Sequence, residues 1–394
     1  MCDKFVLMKC FICSSDDVEP IFKKLTCSVT SDSEMIQKEV LNVICKNCGN
    51  VFNESGARNN VGVFYSDSYK LMSESPESES KFYSKDIEVS HSDWRLNILL
   101  DTLKLPEIGN VLDIGCGKGN FLLAFSHKFS KWSINGVEAS KNALSFAKEK
   151  LSNADLREGL FRNGLFDKKF DLIVALDVFE HLEEPVEFLN TIIPNLKDDG
   201  YLFLDVPNFK INPADLFVFD HLTHFTKETL DNFLSYNGME VISIKENFDR
   251  MPLFMICKKS SNKKQIKNNY SVMKNLVSDH IRFNESLLNT YCKANDEYDK
   301  LCVFGLGVMI WVGIQNNVIH KEKIVSFFDE NEFLIGQKKS GIEIRGLTDI
   351  EKYKNIPLIF SLSPCYIENV IRKISKFNIR YIAPTDYQYY KKYF

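Results

Sequence analysis

The sequence predicts an α/β protein: a central, mostly parallel sheet covered by helices on both faces, preceded by a small Cys-bearing module and followed by a second α/β region. Three observations carry this. β-forming runs alternate with amphipathic helical ones between residues 96 and 258; two C-x-x-C pairs stand before residue 60; and a second strand-turn-helix pattern restarts at residue 300. At 394 residues the chain exceeds one ordinary core, so several units are expected.

Residues 1–60 are polar and Cys-bearing, with short alternating stretches such as 39–45. Residues 61–95 are rich in Ser, Tyr and acidic side chains and read as an aromatic connector with some helix. In residues 96–260, segments 110–114, 133–137, 170–175 and 201–206 combine β-formers with flanking turn residues, and 141–151 and 185–196 are amphipathic between them. After Gly200 two apolar runs, 241–245 and 253–258, read as a closing hairpin. A Lys/Asn-rich stretch at 260–269 opens the last unit, 261–394, with a long helix at 271–298 and strands at 301–304, 323–328, 357–362 and 380–382.

Composition excludes several partners. Net charge is −4 with no dense basic face, so nucleic acid is not expected. No run approaches the roughly 18 apolar residues of a spanning helix, so no membrane is expected either. Residues 1–13 carry scattered charge and no signal-like apolar stretch, and eleven cysteines in a chain of this length do not make a secreted disulfide scaffold. A cytoplasmic protein is the expectation. Oligomeric state is left open.

The most specific motif is Val111-Leu-Asp-Ile-Gly-Cys-Gly-Lys-Gly119, a strand turning through glycines into the helix-like 120–129. Such a turn brings backbone close to a bound nucleotide. The spacing is G-x-G-x-G, shorter than the dinucleotide fingerprint. Asp113 stands just before it, where a carboxylate would repel a pyrophosphate but suits a ligand bearing a sulfonium and an ammonium group. Glu138 ends the next strand, placed to accept both hydroxyls of a ribose, and Asp177 ends the fourth, where strand termini face a ligand crevice.

These residues, with the Ala175-Leu-Asp-Val-Phe-Glu-His-Leu182 stretch, resemble class I S-adenosylmethionine-dependent methyltransferases. The resemblance implies a seven-stranded Rossmann-like core. It also implies S-adenosyl-L-methionine held by Asp113, Gly115, Cys116 and Gly117 around the methionine and ribose, Glu138 and Ala139 at the ribose, Gly159 and Leu160 near the adenine, and Asp177 in the crevice.

Cys10-Phe-Ile-Cys13 and Cys45-Lys-Asn-Cys48 supply four thiolates in two tight turns, the pattern of a closed structural Zn²⁺ site, and Gly49 offers a permissive turn residue. A zinc-binding module, a class I core and a C-terminal α/β region in this order resemble the deoxysugar C-methyltransferases that act on nucleotide-activated sugars. That resemblance implies a sugar or nucleotide-sugar acceptor, and a pocket element of the form Tyr-x-x-x-Tyr, matched by Tyr65 and Tyr69. Read from residues alone, that pair is as well a set of surface aromatics.

Asp220-His221 sets a carboxylate beside an imidazole, with His224 following, in Leu216-Phe-Val-Phe-Asp-His-Leu-Thr-His-Phe-Thr226. Histidine is the usual general base near neutrality. The bland alternative is a helix cap with histidines packed at its edge. The resemblance favours His221 as base with Asp220 orienting it, although Asp and His224 stand where the sugar C-methyltransferases have Glu and Tyr. That departure leaves O- or N-methylation of a surface-glycan or nonulosonic acid sugar open. His181 ranks below His221. Leu301-Cys-Val-Phe-Gly-Leu-Gly307 followed by Asp329 is a Rossmann-like start without the third glycine, read as a module that shapes the acceptor site or mediates assembly. From other classes, an NAD-dependent sugar oxidoreductase would use that second turn, and a non-catalytic scaffold would bind neither cofactor.

Overall fold

A computed structural model describes residues 9–22, 25, 28–58, 79, 81–84, 87–246 and 252–393. Its centre is a mixed sheet of strands β1 (Asn110–Ile114), β2 (Ser133–Glu138), β3 (Asp155–Glu158), β4 (Phe170–Leu176), β5 (Leu196–Pro207), β6 (Met239–Glu246) and β7 (Pro252–Lys259). Their spatial order is β3-β2-β1-β4-β5-β7-β6. The first five run parallel, and β7 is antiparallel to both β5 and β6. The expected closing hairpin is therefore present, and β7 enters between β5 and β6. The order reverses between β1 and β4, and such a switch point opens a crevice at the strand C-termini.

Both faces of the sheet are covered, which is why its strands read as nearly continuous apolar runs. On one face lie helices α1 (His91–Leu100), α2 (Asn120–Lys128) and α3 (Lys141–Lys150). They bury Trp94, Leu99, Phe121, Phe125 and Leu144 against Val111, Leu172 and Phe203. On the other lie α4 (Pro185–Asn195) and α5 (Lys227–Tyr236), whose Leu189, Ile192, Leu230 and Phe233 meet Ile173 and Leu204. Helix α1 runs across the 95/96 position where the sequence suggested a boundary.

The N-terminal module is a four-stranded sheet of Val18–Pro20, Asn42–Cys45, Val51–Asn53 and, unexpectedly, Thr223–His224 from beyond β5. Thr223 pairs with Phe52 and His224 with Val51. The module thus takes its last strand from the segment that holds the candidate base.

Helix α6 (Tyr270–Glu297) ties the units together. At about 1.5 Å per residue its 28 residues span about 42 Å. Its first half packs Met273, Leu276 and Val277 on Ile44, Val51 and Phe209. Its second half packs Phe283, Leu287 and Tyr291 into the C-terminal core. There a second, mostly parallel sheet contains Leu301–Phe304, Ile324–Phe328, Leu358–Phe360 and Tyr381–Ile382, covered by α7 (Val308–Gln315) and α8 (Pro364–Ile374). Among the described residues no helix is long and apolar enough to cross a membrane.

Candidate active site

The glycine loop follows β1 in the left-handed conformation its glycines permit, with φ of +74° at Gly115, +50° at Gly117 and +74° at Gly119. A Cβ on Gly119 would press on Ala147 at 3.0 Å, whereas one on Gly117 would meet nothing within 4 Å. Gly119 is therefore needed for helix packing, and Gly117 lines open space suited to a ligand. Glu138 bridges the loop: one carboxylate oxygen accepts from Gly117 N at 2.9 Å and the other from Ser140 N at 2.7 Å. Burial raises the Glu138 carboxyl, and the N–H groups of Ser140, Gly117 and Ala139 pull it back. Gly159 N donates to Glu138 O at 2.9 Å, so the loop after β3 sits beside the expected ribose acid. The Leu160 side chain is 72% exposed. Cys116 is buried, with Sγ against the backbone of Gly136, so it offers the site its backbone and not its thiol.

Asp113 lies buried at the end of β1, and burial pushes its carboxyl well above the usual range although Arg95 works the other way. Asp177 has φ +54°, and its N–H donates to Asp205 at 2.9 Å. Arg95 of α1 pairs with Asp205 at 2.8 Å and with Asp177. Sequence reasoning missed Arg95 and Asp205. Neither stands in a motif, and the fold alone brings a lone guanidinium from the preceding helix over the strand ends. A cluster of three carboxylates around one guanidinium suits a zwitterionic, sulfonium-bearing ligand: acids for its cations, Arg95 for its carboxylate. The residues present fit S-adenosylmethionine.

Adjoining this cluster through Asp177 is a cavity of about 300 Å³. All three units line it: Ser31 and Ser33 of the N-terminal module, Asp177, Asp215 and His221 of the core, and Gly307, Ser361 and Ser363 of the C-terminal unit. His221 Nδ1 lies 2.6 Å from Asp215 Oδ1, and His224 Nδ1 lies 2.6 Å from Asp215 Oδ2. Burial alone would pull His221 down, but the charge of Asp215 and its hydrogen bond outweigh that and raise the imidazole to about 9.

The expected pairing of Asp220 with His221 is corrected here. Asp220 is turned away to the N-terminal module, where it accepts from Ser31 N at 2.8 Å and Ser31 Oγ at 2.6 Å, and Asp215 holds His221 instead. Adjacent residues leave a backbone on different sides, so sequence proximity misled. Asp215 comes from the short helix Pro213–Phe217, which folds back on the loop. His224 is buried between Asp215 and Asn42 Oδ1, 3.0 Å away, and fixes the loop to the module. Tyr65 and Tyr69 lie outside the described residues.

The four cysteines converge, their sulfurs all within 4.8 Å of one another and the Cys10–Cys48 and Cys13–Cys45 pairs at 3.6 Å. A tetrahedral Zn²⁺ with bonds of about 2.3 Å places its sulfurs about 3.8 Å apart, so the donor set fits that ion. Gly49 has φ +81°, and a Cβ there would strike the Asn269 backbone at 2.7 Å, so glycine is required twice over. The second glycine turn is different in kind. A Cβ on Gly305 or Gly307 would lie 2.6 or 2.4 Å from Ser361 O, so both glycines allow neighbouring strand ends to meet.

Residues 87–244 match the profile of a family described as "Methyltransferase domain". Among curated proteins, the chain is similar to a trans-aconitate 2-methyltransferase of Rhizobium rhizogenes, 26% identical over 30% of this chain and 46% of that protein. It is also similar to a ubiquinone biosynthesis O-methyltransferase of Rickettsia bellii, 24% identical over 31% of this chain and 59% of that protein. The chain spans about half the length of the curated relatives it matches. Among solved structures, the plantazolicin methyltransferase BpumL in complex with a monoazolic desmethylPZN analog and SAH is 18% identical. It has a TM-score of 0.36 and covers 43% of this chain and 82% of that one. The segment 87–244 is thus similar to methyltransferase domains.

Proposed function

We propose that the protein transfers a methyl group from S-adenosylmethionine to a sugar or nucleotide-activated sugar held in the cavity between the three units. The observation that carries the reading is the placement of His221 and Asp177 on the wall of one cavity, with the glycine loop and Glu138 on the cofactor side. When bound, S-adenosylmethionine supplies an electrophilic methyl on a cationic sulfur. Asp113 and Glu138 would hold its cationic and ribose portions, and Arg95 would take its carboxylate. His221, oriented by Asp215, lines the acceptor cavity and would take the acceptor's proton when in its neutral form, which its elevated pKa reserves for alkaline pH. Transfer then needs little beyond alignment of acceptor and methyl.

Ser31, Ser33, Asn212, Ser361 and Ser363 set polar groups into a lining that is otherwise mostly apolar, and they support a hydroxylated acceptor. So does the order of a four-cysteine module, a class I core and a C-terminal α/β unit. In this reading the four cysteines carry a structural Zn²⁺ that takes no part in the chemistry. Incubation with labelled S-adenosylmethionine and a panel of nucleotide sugars tests the proposal. Label transferred to a nucleotide sugar supports it; transfer only to acceptors lacking a sugar removes the sugar and leaves methyl transfer standing. O- or N-methylation of such a sugar is distinguished by the position of the label.

A further inference from the structure

Beside the cavity, Glu180, His181 and His221 each bring one ligand-type atom to within 4.8 Å of the others. Three features set this trio apart from a chance cluster. Both imidazoles are held through Nδ1: His221 by the Asp215 carboxylate at 2.6 Å, and His181 by the backbone carbonyl of Asp220 at 2.7 Å. In the neutral form of each ring these contacts favour the proton on Nδ1 and leave the lone pair on Nε2, a form that a cation would draw out by displacing the second proton, and His181 Nε2 lies 3.7 Å from Glu180 Oε1. A second hydrogen bond of this type is what orients metal-binding histidines. The two rings meet edge to face with centroids 4.9 Å apart. Finally, Glu180 is 2% exposed, and its Oε2 has no hydrogen-bond partner. An unpartnered carboxylate oxygen at that depth is costly to leave charged, and a cation beside it would offset that cost.

We infer that Glu180, His181 and His221 form a binding site for a divalent cation of the Mn²⁺-to-Zn²⁺ series, with its open positions toward the cavity. Two imidazoles and one carboxylate are a donor set of intermediate softness that such ions accept. The Asp215 and Asp220 groups behind the rings balance the charge. His221 lines the cavity, so an acceptor oxygen and water complete the coordination. The inference rests on the methyl-transfer reading for the identity of the acceptor and refines the part of His221 in it. With the cation bound, His221 is a ligand, and the coordinated acceptor hydroxyl becomes acidic enough to lose its proton to water. The resulting oxygen forms its bond to the methyl carbon while the carbon–sulfur bond breaks, and the sulfur keeps the electron pair as a neutral thioether.

The test is a Mn²⁺ titration of the purified full chain, its four-thiol site left loaded, with free Mn²⁺ read by electron paramagnetic resonance. One Mn²⁺ bound per chain is expected, with at least tenfold weaker binding in Glu180→Gln and His181→Asn and S-adenosylmethionine affinity unchanged in both. Full-chain protein that binds no Mn²⁺ overturns the inference whatever the variants do. So does equal Mn²⁺ affinity in Glu180→Gln and the more conservative Glu180→Asp, both folded as judged by cofactor binding. Failure to bind S-adenosylmethionine sinks the methyl-transfer reading instead, and the titration still decides the cation.

Discussion

Asp215 and His221 lie six residues apart and meet at 2.6 Å, the carboxylate gripping Nδ1 of a ring that lines the cavity. The same carboxylate holds His224, so one acid fixes both imidazoles of the loop. The N-terminal module clamps this loop through Ser31 to Asp220, Asn42 to the Leu216 carbonyl at 2.6 Å, and Asn53 to the Phe219 carbonyl at 2.8 Å.

His221→Asn should keep S-adenosylmethionine affinity and lower turnover by roughly 10²–10⁴, the usual worth of a group that manages the acceptor proton. Steady-state kinetics beside calorimetry of cofactor binding check this. His181→Asn separates two roles for His221. If His221 only takes a proton, the His181 variant should be nearly as active as the parent; if both hold a cation, the two variants should fall together. A fully active His221→Asn protein would exclude both.

Asp113→Ala and Glu138→Ala should weaken S-adenosylmethionine binding by ten- to a hundredfold, from loss of a charged hydrogen-bond partner worth about 1.5–3 kcal/mol. Arg95→Gln should do the same and also release Asp177 and Asp205 from their shared partner. Calorimetric titration reads all three. Unchanged affinity in the first two would remove the cofactor assignment.

One tightly held Zn²⁺ per chain is expected at Cys10, Cys13, Cys45 and Cys48. Because Thr223–His224 forms the edge of the module's sheet, stripping that ion should loosen the acceptor loop while the glycine loop keeps its ligand. Elemental analysis, circular dichroism and cofactor titration before and after chelation test this. Absence of zinc from protein purified without chelator would contradict it.

His280 supplies a pH prediction away from any metal site. It lies buried in α6, donating to the Phe209 carbonyl at 2.6 Å and accepting from the Tyr390 hydroxyl. Burial lowers it to about 4, with Asp215 and Asp279 pulling weakly upward. The folded state therefore favours the neutral ring, and the unfolded chain binds the proton more readily. Stability from this residue is complete above the unfolded value of about 6.5 and is lost as pH falls toward 4, by about 3 kcal/mol at most. Thermal melts between pH 7.5 and 4.5 should show that loss, and His280→Asn should reduce the slope. An identical slope in the variant would assign the acid sensitivity elsewhere.

The central sheet, the glycine loop, Glu138 and the four-cysteine turns were legible in sequence because each is local. Strand and helix periodicity, φ-permissive glycines and C-x-x-C spacing are properties of a few consecutive residues. Helix α6 and the strands of the last unit were legible for the same reason. The site's partners were not. Asp220 stands next to His221 and faces away from it, while Asp215 reaches both His221 and His224 across a turn. Arg95 meets Asp205 from 110 residues away. Thr223–His224 leaves the core to complete the sheet of the cysteine module, and the two glycines at 305 and 307 serve the approach of Ser361. Sequence by itself determined which elements form and which loop cradles a nucleotide-like ligand, since those follow from short-range sterics and periodic burial. Only the tertiary structure decided which acid grips which imidazole and that three units share one cavity, because a side chain's direction depends on packing between segments distant in the chain.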